Sequence, residues 1–95
     1  MSDKGFYIVV YDISNDKRRT KLHKRLKDYG SPVQYSVFEC ILDAERLVQM
    51  RAMIRKTVKA RHDHVRIYTL CKACLKKTEI IGRHEITVEK EIYVV

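Results

Sequence analysis

Phe6-Tyr-Ile-Val-Val-Tyr11 is an uninterrupted apolar and aromatic run that closes on a single carboxylate, Asp12. A continuous β-branched and aromatic run predicts a strand buried on both faces. Ser14-Asn-Asp16 follows at once and signals a helix start, so the strand feeds a helix and Asp12 stands at the junction. An acid at the carboxyl end of a central strand, beside a helix N-terminus, occupies the place where α/β folds bind ligands. The plain alternative is that Asp12 punctuates the strand or helps to cap the helix. The charge and order of the rest of the chain favour the functional role.

The first helix is predicted from about Asp16 to Tyr29, capped by Asn15 or Ser14 and ended by Gly30. Its apolar stripe is Leu22, Leu26 and Tyr29; one turn back the stripe reaches Arg18 and borders Arg19. Lys17, Lys21, Lys24 and Lys27 read as a solvated face, while for Arg18 and Arg19 phosphate contact and plain exposure stay open. Ser31-Pro32 is a turn, and Val33 to Leu42 is the second strand, apolar on both faces towards its far end. Asp43 caps a second helix whose stripe is Leu47, Met50, Ile54 and Val58. A basic patch, Lys56 to Arg61, leads into the turn His62-Asp-His64, whose histidines read as surface residues rather than metal ligands.

Val65 to Leu70 is the third strand, and Cys71-Lys-Ala-Cys74 follows it. Two cysteines at this spacing can form half of a zinc site or a redox pair. A closed zinc site needs four ligands, and the only other cysteine is Cys40, so the expectation is two small residues at a strand end. Lys76 to Ile81 is predicted as a fourth strand and Ile86 to Val95 as a fifth.

Twenty lysines and arginines against 12 acids leave a net charge of +8 and a pI near 9.6, a balance that suits polyanions and nucleic acid first. No apolar run approaches membrane-spanning length, and Met1-Ser-Asp-Lys4 does not begin a signal peptide. The expectation is a cytoplasmic protein, with no membrane partner and reduced thiols.

The element order is β-α-β-α-β-β-β, which a small α+β sheet with both helices on one face satisfies, as in ferredoxin-like sandwiches. The strict order, β-α-β-β-α-β, requires Val33 to Leu42 to be a hairpin or a bent strand, or the last strands to be additions. A helix-free face made of Phe6 to Tyr11 and Val33 to Leu42 would expose apolar surface. A second copy about a two-fold axis would cover it, with the apolar tail adding a strand to the partner sheet, so a homodimer is expected.

Tyr11-Asp-Ile-Ser14, Asp16-Lys-Arg-Arg19 and Val33-Gln-Tyr-Ser-Val-Phe-Glu39 resemble the signature segments of the CRISPR-associated protein two family, the small subunit of the spacer-adaptation machinery. Val65-Arg-Ile-Tyr-Thr-Leu-Cys71 is similar to that family's later core strand, and the resemblance spans nearly the whole chain. It implies one ferredoxin-like domain over residues 1–95, homodimeric, with residues 86–95 as an extra C-terminal strand pairing with the partner subunit. It implies a metal-dependent endoribonuclease or endodeoxyribonuclease acting in spacer acquisition with the CRISPR integrase. By the same resemblance Asp12 is the catalytic and metal-binding acid. Tyr11, Arg18, Arg19, Lys21 and Phe38 hold nucleic acid, Lys21 standing where arginine can occur and weakening a bidentate phosphate contact.

Phosphodiester hydrolysis needs an activated water and charge neutralisation, which Mg²⁺ (or Mn²⁺ in its place) supplies when held by one or two carboxylates. One chain offers only Asp12 at the strand end; a two-fold dimer would bring two copies into one site. His23 is the spare candidate for a general base. The competing class is a non-catalytic homodimeric DNA-binding scaffold that grips a duplex through phosphates alone. An RNA-recognition sheet would need more exposed aromatics than Tyr68, and a messenger-cleaving toxin is a further enzyme alternative.

Overall fold

In the computed structural model, which describes residues 3–82, the elements are β1 (Gly5–Asp12), α1 (Asp16–Leu26), β2 (Gly30–Gln34), β3 (Val37–Leu42), α2 (Ala44–Thr57), β4 (His64–Leu70) and a short α3 (Lys72–Lys76). The strands form one antiparallel sheet in the order β2-β3-β1-β4. This is the ferredoxin-like order β-α-β-β-α-β, with the opening run as a central strand.

Side chains alternate across a sheet, so the register decides what each face carries. Val9 and Tyr11 of β1 face the helices, packing with Phe38, Cys40 and Leu42 of β3, Leu22 and Leu26 of α1, and Met50 and Ile54 of α2. Phe6 points the other way, where Leu75 of α3 covers it beside Ile8, Ile41 and Leu70. Both faces of β1 are thus apolar for separate reasons: one meets α1 and α2, the other in part meets α3.

The long second strand resolves into a hairpin. Tyr35 and Ser36 separate β2 from β3, and Tyr35 is 96% exposed. Gly30 makes the close pairing possible: a Cβ there would strike the Glu39 carbonyl oxygen and lie 2.5 Å from Cys40 Sγ. The first helix stops earlier than expected, at Leu26, its last buried residue; Lys27 caps it, and Asp28 and Tyr29 turn back onto Arg25 and Leu26 carbonyls. The caps agree with the sequence: Asn15 accepts from the Arg18 N–H at 2.9 Å and Asp43 from the Arg46 N–H at 2.8 Å.

The strand expected over Lys76 to Ile81 is absent. Cys71 caps the helix α3 instead, and Leu75 finds burial on Phe6 that a strand would have denied it. Ile81 is left 95% exposed. The strand expected over Ile86 to Val95, and its exchange with a partner, lie outside the described residues. Among the described residues no helix is long and apolar enough to cross a membrane.

Candidate functional site

Asp12 ends β1 with its side chain exposed on the face away from α1 and α2. Pairing of β1 with β4 sets Asp12 opposite His64, Val10 opposite Arg66 and Ile8 opposite Tyr68. Asp12, His64, Arg66, Tyr68 and Val10 line one shallow cavity of about 380 Å³. Arg66 donates to the Tyr68 hydroxyl at 3.3 Å, which orients the guanidinium along the strand. A carboxylate, an imidazole and a guanidinium therefore share one open face. His64 was read from the sequence as a surface residue of the His62-Asp-His64 turn, and Arg66 did not stand out. The period-two alternation of β4, read against β1, was the available signal, and it becomes useful only with the register in hand.

Asp63, one residue earlier, is the buried member of the His62-Asp-His64 turn. Its carboxylate takes two hydrogen bonds from Arg18, from Nε at 2.8 Å and Nη2 at 3.0 Å, and one from the Lys59 N–H at 2.8 Å. The Arg18 fork, with the Lys59 N–H, holds the Asp63 carboxyl at about 2, well below its ordinary 3.8. The Nε and Nη2 donors of Arg18 are directed at Asp63. Arg18 thus ties the start of α1 to the loop that launches β4.

Arg19 is held against its own junction while its side chain stays partly exposed. It donates to the Ile13 carbonyl at 3.0 Å and pairs with Asp16, bracing the junction just after Asp12. Tyr11 is buried, and its hydroxyl donates to the Tyr35 carbonyl at 3.1 Å while meeting His23 Nδ1 at 3.0 Å. Burial pushes the Tyr11 hydroxyl above its ordinary range, opposed by the Arg19 charge. Phe38 is fully buried, and His23 stands edge-on to it with ring centroids 5.0 Å apart. Tyr11, His23 and Phe38 therefore form a packed cluster behind the sheet. Lys21 alone of the expected contacts is plainly free to reach outward, beside Lys17 and Lys24 in a second shallow groove along α1.

Among the described residues no three histidines, cysteines or acids gather as a metal-binding group. Mg²⁺ keeps most of its waters and takes one or two carboxylates, and the exposed Asp12 carboxylate is a ligand of that kind. The open cavity beside Asp12 leaves room for those waters.

The model of the CRISPR associated protein Cas2 family matches residues 5–78. The chain is 45% identical over 78 residues to a CRISPR-associated endoribonuclease Cas2 of Chloroflexus aurantiacus, covering 81% of this chain and 84% of that protein. It is 38% identical over 91 residues to a CRISPR-associated endonuclease Cas2 of Thermus thermophilus, covering 96% and 97%. Its fold superposes on Streptococcus pyogenes Cas2 with a TM-score of 0.71 at 29% identity, covering 81% and 99%. A chain of a partial Cas6-RT-Cas1–Cas2 complex matches with a TM-score of 0.70 at 30% identity, covering 81% and 90%.

Proposed function

The chain belongs to the CRISPR associated protein Cas2 family, and from that membership we propose that it hydrolyses phosphodiester bonds of RNA or DNA in CRISPR spacer acquisition, as a homodimer beside an integrase subunit. Relatives bear the names endoribonuclease and endonuclease, and a structural neighbour is a chain of a partial Cas6-RT-Cas1–Cas2 complex. The observation that carries the reading is the exposed Asp12 carboxylate at the end of the central strand, facing His64 across the register and sharing a cavity with Arg66.

Asp12 is the residue that would hold Mg²⁺ (or Mn²⁺), and two copies related by a two-fold axis supply the pair of carboxylates such an ion accepts. When bound, the ion supplies charge neutralisation and a more acidic water. The chain's own groups do the rest. Arg66 neutralises a non-bridging phosphate oxygen, and the His64 imidazole serves the attacking water or the leaving oxygen. Lys21, with Lys17 and Lys24, contacts flanking phosphates. Tyr11 and Phe38 support β1 and β3 from the core side. Arg18 and Arg19 hold the two loops that flank Asp12, and so act on nucleic acid through position.

Comparing wild type with Asp12→Asn on defined RNA and DNA, with Mg²⁺ present, tests the reading. Loss of cleavage with the dimer intact supports it; equal cleavage by the variant overturns it. The lysine groove on α1 favours a second reading, a scaffold that holds duplex through phosphates without cutting it. That reading predicts duplex binding by wild type and Asp12→Asn alike, with no Mg²⁺-dependent cleavage by either.

A further inference from the structure

Cys71 and Cys74 lie where β4 hands over to α3. Cys71 is the N-cap residue: its Sγ accepts from the Cys74 N–H at 3.4 Å, and the two sulfurs are 3.3 Å apart, unbonded and exposed. The turn that carries them is anchored, because Leu75 is buried against Phe6. The remaining cysteine, Cys40, is buried in the core, and burial together with the nearby Glu39 charge pushes its thiol up to about 11. It is thus shut away from thiol chemistry, and the exposed pair is not.

The two exposed thiols are not equivalent. The Cys74 N–H, donating to Cys71 Sγ, and then the hydrogen bond between the two thiols hold the Cys71 thiol below its ordinary range. The Cys74 thiol is pushed up by its hydrogen bond to Cys71 and by the neighbouring charge.

We propose that Cys71 and Cys74 form a redox-active dithiol that exchanges with low-molecular-mass disulfides such as glutathione disulfide, with Cys71 as the attacking sulfur and Cys74 as the resolving one. The Cys71 thiolate attacks one sulfur of the disulfide, forming a mixed disulfide and releasing one glutathione thiolate, which takes up a proton. Cys74 then loses its proton and attacks Cys71 Sγ, expelling the second glutathione thiolate. The protein gives up two electrons and the small disulfide takes them. Closing the bond requires the sulfurs to move from 3.3 Å to about 2.05 Å, a short displacement within one anchored turn.

Full-length protein is equilibrated in glutathione buffers of increasing oxidised fraction, then alkylated and mapped by mass spectrometry. A reversible Cys71–Cys74 disulfide is expected, with Cys40 unmodified. Cys74→Ser should accumulate glutathione on Cys71, and Cys71→Ser should be modified at least about threefold more slowly, since thiolate fraction partly governs the rate. Serine is a good N-cap, so Cys71→Ser keeps the helix start. In wild type, faster alkylation of Cys71 than of Cys74 gives the same answer without substitution. The proposal fails if no internal disulfide forms at any ratio or the two thiols react equally. It fails too if the purified chain carries stoichiometric zinc that shields both cysteines.

Discussion

Arg18 grips Asp63 with two hydrogen bonds, 2.8 and 3.0 Å long, and the residue after Asp63 is His64, which faces Asp12 across the sheet. One ion pair therefore joins the first turn of α1 to the loop before β4 and sets where β4 begins. Asp63 is buried and accepts from the Lys59 N–H as well, so its charge is satisfied from both sides.

This pair makes acid stability depend on Asp63. Its carboxyl lies at about 2 when folded against 3.8 ordinarily, so its contribution is fully present above about pH 4 and is lost as the pH falls towards 2. Thermal melts of wild type between pH 5 and 2 should show Tm falling over that window. Asp63→Asn should start lower and fall less steeply. An unchanged slope in the variant would remove Asp63 as the source.

Asp12→Asn should reduce Mg²⁺-dependent cleavage by more than about 100-fold, since even groups that only support a metal ligand cost 10–100-fold. The dimer should persist in sedimentation. Mixed dimers with one wild-type and one variant chain should lose more than half the activity, because groups acting as one unit are not additive. Retention of half would mean that each chain works alone.

His64→Gln keeps a hydrogen-bonding side chain but cannot carry a proton. Cleavage should drop on the order of 10²–10⁴-fold with nucleic-acid affinity unchanged. A parallel loss of nucleic-acid affinity would assign His64 to binding instead.

Lys21→Gln should weaken duplex binding about equally for unrelated sequences and lower the salt slope, log K against log salt, by about 1. A sequence-selective loss, or no change in slope, would take Lys21 out of phosphate contact.

Gly30→Ala should destabilise the fold by about 1–3 kcal/mol, as overpacking does. The new methyl meets the Glu39 backbone and Cys40, neither of which can swing away freely. Denaturant unfolding measures it, and a neutral result would show that β2 shifts at no cost.

Local signals were enough for much of the chain. The apolar run Phe6 to Tyr11, the caps Asn15 and Asp43, and the stripe Leu22–Leu26 name their own elements, because burial period and side-chain capping act over a few residues. Asp12 at a strand end could be read for the same reason, and the segment resemblance named the family. Other features depended on contacts between distant parts. The apolar stretch Val33 to Leu42 does not reveal its own hairpin, since the turn at Tyr35 and Ser36 is set by the pairing of β2 with β3. Residues 76–81 look like a strand until Leu75 meets Phe6, about seventy residues away in sequence and adjacent in space. The Arg18 guanidinium has no partner in its own sequence neighbourhood, and finds one in Asp63, 45 positions on. His64 and Arg66 join Asp12 only through the β1–β4 register, and a slip of one residue would send both to the helix side. Short-range preferences determined the elements and the acid. Burial and charge pairing across the fold decided which side chains stand beside that acid and which are engaged by other groups of the chain.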